Sequence, residues 1–411
     1  MKDIRVDLCV IGGGPAGLAA ALKAKKMGVE QVAIIERDIC LGGILQQCIH
    51  DGFGIHRFGR RMSGSQYAQM FIDEVEKTDI IVKLNTMVLE VTDEKVIYAC
   101  NEQEGMLRFE CGAVILAMGC RERTASQILL YGNRPAGVLT AGAVQRYINI
   151  EGYLPGKKAV ILGSGDIGLI MARRMTLEGI KVEGVYEVME HPGGLTRNIV
   201  QCLHDYNIPM YTSTTVTWIH GKDRISGVTV ADVDENRQGI KGTERFIECD
   251  LLVLAVGLIP ENELSVKAGI ELDSKTKGPV LDNYFMTSIP GIFAAGNVSV
   301  VYDLVDYVSV SGEKAAEGAV QYLKNPKKTY DYYDVAYSGN INALIPQRIR
   351  REDEEKTVNF FMRVKQPMAK VILKNSGSKQ QKVFTNVTPA EMIACELSIN
   401  GSEPVSLSME G

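Results

Sequence analysis

Short apolar runs alternate with longer stretches rich in Ala, Leu and Lys through the first 325 residues. Val6–Val10 is apolar at nearly every position and is followed, after a glycine-rich turn, by a helical pattern to Met27. Lys158–Leu162 opens a second stretch of the same form, with a helical pattern to about Glu178. Apolar runs alternating with helical segments predict an α/β chain with a parallel sheet and crossover helices. Glu102–Arg108 is polar and reads as a hairpin turn. Arg121–Gly156, rich in Gly and Pro and without a clean strand, reads as the crossing from a first domain into a second. Leu251–Gly257 reads as the strand closing that second domain, Pro260–Asn262 as the return, and Gly312–Leu323 as a helix. Beyond about Asn325 the pattern changes. Asp331–Asp334 and Arg351–Lys356 are polar and charged, and Thr357–Lys374, Lys382–Val387 and Met392–Ile399 alternate as short strands, which predicts a small β extension.

The two helical openings carry the same chemistry. Gly12-Gly13-Gly14-Pro15-Ala16-Gly17 follows the first strand, and Gly163-Ser164-Gly165-Asp166-Ile167-Gly168 follows the second. In a dinucleotide fingerprint the first Gly makes the tight turn, the second lets backbone approach a pyrophosphate, and the third lets helix and strand pack closely. The helix start then attracts the phosphate charge. An acid ending the next strand belongs to the pattern at about 20 residues' distance. Glu36 lies 22 positions after Gly14, and Glu187 lies 22 after Gly165. The fold expected is therefore two Rossmann-like, three-layer dinucleotide-binding domains, the second inserted in the first. Residues 1–125 with 260–328 are expected to bind FAD and residues 126–259 to bind NAD, with 329–411 as the small β-rich C-terminal domain.

The first copy is assigned to FAD because Leu41-Gly42-Gly43-Ile44 follows Glu36-Arg37 as a turn that could lie against a flavin. Val114–Gly119 and Gly291–Val298 both end in small residues, and the helix after the latter would present a positive end to a reduced flavin. At the second copy, Glu187 would accept from both ribose hydroxyls and repel a 2′-phosphate, and Val188, Met189 and Glu190 supply no cation. NADH is therefore expected over NADPH. Arg173 and Arg174 are expected to face solvent or pack structurally.

With 411 residues, 45% of them hydrophobic, the chain has room for two to three packed domains. A net charge of -5 argues against a nucleic-acid partner, and the basic cluster Arg57, Arg60, Arg61 reads as a solvated face. The longest apolar runs, such as Leu251–Pro260, are about half of what a membrane helix needs. A strand so near the first residue leaves no room for a targeting segment, so a cytoplasmic location is expected. The nine cysteines form no CxxC pair, so neither a metal site nor a redox dithiol is indicated, and most are expected to be buried free thiols.

Four motifs in order, the fingerprint at 12–17, AMG at 117–119, the fingerprint at 163–168 and GIFAAGNV at 291–298, make the chain resemble the two-dinucleotide-binding-domain flavoproteins, the group of the thioredoxin reductases. The segments AMGCRER at 117–123, GVLTAGAVQ at 137–145 and GSGDIGLIMARR at 163–174 resemble the NAD(FAD)-utilising dehydrogenases, which include the alpha subunits of opine oxidase, dye-linked proline dehydrogenase and hydrogen cyanide synthase. GGILQQCIHDGFG at 42–54 resembles the member that accompanies glycerol-3-phosphate dehydrogenase. The resemblance covers about residues 4–325. It implies FAD held by Gly12, Gly14, Ala16, Glu36, Gly43, Val88, Gly119 and Asn297, with Pro15, Gly17, Arg37, Ile44, Ala117, Gly296 and Asp306 alongside. It implies NADH held by Gly163, Gly165, Asp166, Ile167 and Glu187, with Gly168. The chain departs from the resemblance in lacking the reductases' Cys pairs, in having Asn297 where Asp is usual, and in having Asp306-Tyr307 beside the flavin where thioredoxin reductases have Gln-Ala.

The activity expected is hydride transfer from NADH to FAD and electron delivery to a protein or small-molecule acceptor. A second flavoprotein subunit is another partner class, and a second copy of the chain is a third. Two alternatives stay open: an FAD subunit of an amine, opine or imino-acid dehydrogenase complex, and a flavin-carrying docking subunit that accompanies glycerol-3-phosphate dehydrogenase. Cys48 and His50 are weak catalytic candidates. Cys40 and Cys48 could pair, and His50 or His56 could deliver a proton near neutral pH, but buried thiols and local hydrogen bonds are the ordinary readings.

Overall fold

The computed structural model describes residues 1–352, 355–376 and 380–411; the rest of the polar stretch Arg351–Lys356, namely 353–354, lies outside them. The chain divides into two compact units, Met1–Cys120 with Pro260–Gly411, and Arg121–Ile259.

The first unit is built on Lys2–Ile11, whose Leu8, Cys9 and Val10 are fully buried. This strand pairs in parallel with Val32–Ile35 on one side and Gly105–Leu116 on the other. Ile81–Lys83 extends the sheet beyond Val32–Ile35, and Ile292–Ala294 also joins in parallel, opposite Val114–Leu116. The turn expected over Glu102–Arg108 is confined to 102–104, because Gly105–Leu116 is strand and pairs antiparallel with Val96–Asn101; Met87–Val91 pairs with the latter. Helices Pro15–Lys26 and Val305–Lys324 cover the sheet. The latter starts at Val305, seven positions before the expected Gly312. The stretch Val305–Ser311 is poor in helix formers, but Gly312 lets the helix lie on Ala16, where any Cβ would collide with the Ala16 carbonyl. Tertiary packing overrides weak propensity there.

Among the described residues, nine short strands between Tyr332 and Glu410 follow within the same unit. A four-stranded sheet (Ala336–Gly339, Ser406–Glu410, Met368–Asn375, Gln381–Val387) faces a three-stranded one (Ile341–Ile345, Glu355–Val364, Ile393–Asn400). Val358, Phe360, Met362, Leu373, Leu397 and Leu407 share one core between them. Alternate residues of Ile393–Asn400 and Ser406–Glu410, and of Met368–Asn375 from Val371 on, are buried, as sandwich packing requires.

The second unit holds a five-stranded parallel sheet, in the order Val138–Thr140, Leu251–Leu254, Lys158–Leu162, Lys181–Tyr186, Met210–Tyr211. Its fingerprint helix runs Asp166–Leu177. The segment read as strandless supplies the edge strand Val138–Thr140 and helix Ala141–Asn149. Ala141, Val144 and Ile148 form the buried stripe of that helix. An antiparallel hairpin, Thr214–Gly221 with Ile225–Asp232, packs its own apolar cluster beside the sheet.

Candidate functional site: two glycine cradles

Each fingerprint is cramped at its first and third glycines and open at the middle one. Gly12 adopts φ +104 and presses against the Ala117 carbonyl, and Gly17 presses against the Gly12 carbonyl. Gly163, at φ +100, presses against the Ala255 carbonyl, and a Cβ on Gly168 would lie 2.6 Å from the Gly163 carbonyl. By contrast a Cβ on Gly14 would meet nothing within 4 Å, and one on Gly165 would meet only the Ala255 carbonyl at 4.0 Å. Both middle glycines have ordinary φ, −76 and −62, so backbone conformation does not require glycine there. Both are N-caps of helices that have no side-chain cap, so the first-turn N–H groups lack the partner that Ser or Asp would give.

Beside each cradle lies a buried glutamate held by backbone. Glu36 Oε2 accepts from Gly13 N at 2.7 Å and Oε1 from Asp38 N at 2.8 Å. Glu187 Oε2 accepts from Ser164 N at 2.9 Å and from the Ser164 hydroxyl at 2.6 Å, and Oε1 accepts from Met189 N at 2.9 Å. Ser164, which the glycine spacing does not single out, also takes the Gly193 N–H at 2.8 Å and so ties the following loop to the carboxylate. Asp166 spends Oδ1 on Leu195 N and the Asn198 amide, and the Ile167 side chain packs on the unit's core. Arg173 stacks over Tyr206, and Arg174 bonds Asn149 and pairs with Glu178.

Around the first cradle, chain segments far apart in sequence converge. A Cβ on Gly43 would lie 3.1 Å from Gly14 Cα. Gly296, at φ +71, faces Ala16 and donates its N–H to the Ser311 hydroxyl at 2.8 Å. Asn297 accepts from Tyr302 N through Oδ1 and donates to the Cys120 sulfur, next to Gly119. Thr86 N donates to the Glu36 carbonyl, which brings the neighbouring Val88 strand up to the acid. Arg37 and Ile44 are exposed.

The helix Val305–Lys324 also starts without a side-chain cap, and its first turn carries Asp306, which is 6% exposed. Asp306 Oδ1 has no hydrogen-bond partner among the described residues. Tyr67 donates to or accepts from Ser309 at 2.8 Å one turn on. Arg57 pairs with Glu313 at 2.5 Å and lies 4.9 Å over the Phe71 ring, so one member of the basic cluster is packed rather than solvated. Arg60 reaches the Met70 sulfur, and Arg61 faces Asp51. No sequence-local signal points to Tyr67, Ser309 or Arg57, because each is recruited by a different element.

No disulfide joins the cysteines of the described residues; Cys40 is exposed and Cys48 buried. Burial raises the Cys48 thiol to about 12, and its sulfur donates to the Ile44 carbonyl. A thiol this reluctant to ionise is a poor nucleophile at neutral pH. The His50 ring lies tilted, 5.1 Å from that of Phe53, and His56 stacks 6.4 Å from Tyr307. Among the described residues no cluster of His, Cys, Asp or Glu is placed to hold a metal, and no helix is long and apolar enough to cross a membrane.

The chain is 28% identical over 313 residues to hydrogen cyanide synthase subunit HcnB of Pseudomonas protegens, covering 70% of this chain and 65% of that one. It is 27% identical over 338 residues to an opine oxidase subunit of Agrobacterium tumefaciens, covering 77% and 66%. It thus spans just under two thirds of the length of these relatives. The thioredoxin reductase of T. acidophilum has the same fold, with a TM-score of 0.63 at 24% identity over 77% of this chain and 98% of that one. A profile of the pyridine nucleotide-disulphide oxidoreductases matches residues 6–320, and the chain belongs to that family.

Proposed function

We propose that the chain is an FAD-carrying NADH oxidoreductase that delivers electrons to a separate acceptor without a protein dithiol. Its family binds FAD and a nicotinamide dinucleotide. The observation that carries the reading is the repeated cradle: a middle glycine facing open space, an uncapped helix start behind it, and a glutamate fixed by backbone beside it. We assign the first cradle, on residues 1–125 and 260–328, to FAD, because Gly43, Gly296, Asn297 and the Val305 helix start converge on it and extend it beyond a pyrophosphate's length. The second, on residues 126–259, takes NADH.

The residues fit both groups. The amides at Ala16 and Gly17, and at Asp166 and Ile167, would face a pyrophosphate, a role backbone fills whatever the side chains do. Glu36 and Glu187 keep free lone pairs for ribose hydroxyls after their backbone bonds. Asn297 Oδ1, already accepting from Tyr302 N, keeps one lone pair for a ribityl hydroxyl. When bound, FAD supplies the hydride acceptor and electron store; the protein supplies position and electrostatics. Cys48 has no part in it, since its proton stays on through neutral pH.

Glu187 sets the nucleotide preference in this reading. A 2′-phosphate would bring a second negative charge against a buried carboxylate, and Arg173 and Arg174 are engaged elsewhere. Parallel anaerobic titrations test it: NADH is expected to bleach the flavin's visible absorbance at concentrations at least tenfold below those NADPH requires. A flavin that neither nucleotide bleaches would refute the function, and equal potency would refute the role of Glu187.

The similarity to subunits of hydrogen cyanide synthase and opine oxidase favours a second reading, in which the chain is the FAD subunit of an amine, opine or imino-acid dehydrogenase complex. Reduction by such a substrate, and not by NADH, would select it.

A further inference from the structure

The helix Val305–Lys324 begins with a feature at odds with ordinary flavin chemistry. A reduced flavin that gains two electrons and one proton carries a negative charge near N1 and the C2 carbonyl, and a helix N-terminus, worth roughly +0.5 charge, would stabilise it. Here the first turn carries Asp306 instead of a neutral residue, and it is buried. The turn lies beside Gly296, which faces Ala16 of the first cradle. Gly296 touches Val308 on the next turn, and Ser311 binds Gly296 N. Asp306 Oδ1 is buried without a partner among the described residues, which is unusual for a carboxylate and implies a ligand group opposite it.

We propose that Asp306 faces the charge-accepting edge of the flavin and keeps the reduced ring neutral, so that each two-electron reduction takes up two protons rather than one. The inference rests on the FAD assignment of the first cradle. The hydride from NADH brings two electrons and one hydrogen to the ring; the second proton comes from solvent and cancels the charge that would otherwise remain near N1.

The surrounding groups do not reverse the sign. From the turn Ile55–Phe58, Arg57 faces Asp306, but its charge is offset by Glu313. From the helix Gly64–Glu76, Tyr67 faces it and shares a side-chain hydrogen bond with it, leaving Oδ1 as the unpartnered oxygen; the Tyr67 hydroxyl is raised by burial and therefore neutral. On its own helix Tyr307 is likewise raised by burial, and Asp303 and Glu391 add only negative charge there. Arg363 is engaged by Asp303, and His56 stacks on Tyr307. Arg57 and Arg363 are thus both paired with acids, and neither adds an uncompensated cation to the helix start.

The test is the midpoint potential of the purified, FAD-loaded full chain, measured by spectroelectrochemistry between pH 6 and 9. Wild type is expected to keep the slope of two protons per two electrons to the top of that range, with the absorbance spectrum of neutral reduced flavin. Asp306→Asn is expected to fall to one proton per two electrons at the alkaline end and to show the anionic spectrum; Asp306→Glu is expected to restore the wild-type slope. A one-proton slope in wild type at pH 8, or an unchanged slope and spectrum in Asp306→Asn, overturns the role of Asp306 while leaving the FAD assignment intact. If Asp306→Asn does not hold FAD, the wild-type slope alone decides. A wild-type protein that cannot be loaded with flavin overturns the FAD assignment and this role together.

Discussion

Gly165→Val is expected to leave the protein folded and yellow while weakening NADH roughly 10- to 100-fold. The argument is local. Gly165 has φ −62, which valine adopts without strain, and a Cβ there would meet only the Ala255 carbonyl at 4.0 Å. Neither the backbone conformation nor the space for a Cβ requires a glycine, so the group a side chain is expected to displace is a ligand. Forcing an isopropyl group between backbone and pyrophosphate is an overpacking problem, typically worth about 1–3 kcal/mol, hence the range in affinity. Gly14→Val makes the matching case at the first cradle: a Cβ there meets nothing within 4 Å, so the expected product is a folded protein with little or no flavin. Absorbance at the flavin band, far-UV circular dichroism and an anaerobic NADH titration on the two variants separate the outcomes. A Gly165→Val protein reduced by NADH as readily as wild type would remove the second cradle from the reaction. Loss of the fold in either variant would mean that the glycine is structural after all.

The cradles are readable in the sequence because they are local. A continuous apolar strand, three spaced glycines and an acid about 20 residues on all lie within one strand–turn–helix–strand unit, and their spacing alone fixes who can touch whom. Glu36 and Glu187 stand where that spacing predicts, each bonded to the residue after the first glycine. The features that complete the first cradle are of another kind. Asp306, Ser309, Tyr67 and Arg57 come from three helices and meet only through packing. The helix start at Val305 is hidden because its first two turns have weak propensity and gain their stability from Ala16 and Gly296. The helix Ala141–Asn149 does leave a trace, masked by the surrounding Gly and Pro: Ala141, Val144 and Ile148 repeat at helical spacing between flanking glycines. The strands after Tyr332 announce themselves by alternation, as in Val358, Phe360, Met362 and Val364. What those strands pack against is not in the pattern, because the contacts join residues far apart in sequence, such as Phe361 with Tyr302 and Arg350 with Asp282.

Those contacts give the largest expected loss of stability. Arg350→Ala is expected to destabilise the first unit by about 3–5 kcal/mol, a fall in melting temperature on the order of 10 °C. Arg350 is fully buried and donates from Nε to Asp282 Oδ2 at 2.6 Å, while its backbone N–H donates to Asn283 Oδ1 at 3.0 Å. Its guanidinium is sandwiched between the rings of Tyr330 at 4.0 Å and Tyr284 at 4.5 Å. The pair joins the segment Val280–Met286, whose Leu281, Phe285 and Met286 lie in the first unit's core, to the C-terminal strands. Arg363 makes a parallel tie, from strand Glu355–Val364 to Asp303 and the Val301 carbonyl just ahead of the Val305 helix. Removing Arg350 leaves Asp282 buried with Oδ2 uncompensated, although Oδ1 still accepts from Tyr284 N and Met286 N. The loss measured is then mostly the penalty of a stranded charge rather than the worth of the ion pair. A double-mutant cycle separates the two. Arg350→Met with Asp282→Asn keeps the volume and the two turn hydrogen bonds but removes both charges, and is expected to recover most of the stability lost in Arg350→Ala. If the double variant is as unstable as Arg350→Ala, the tyrosine sandwich rather than the charge pair holds the C-terminal strands to the sheet that carries the first cradle.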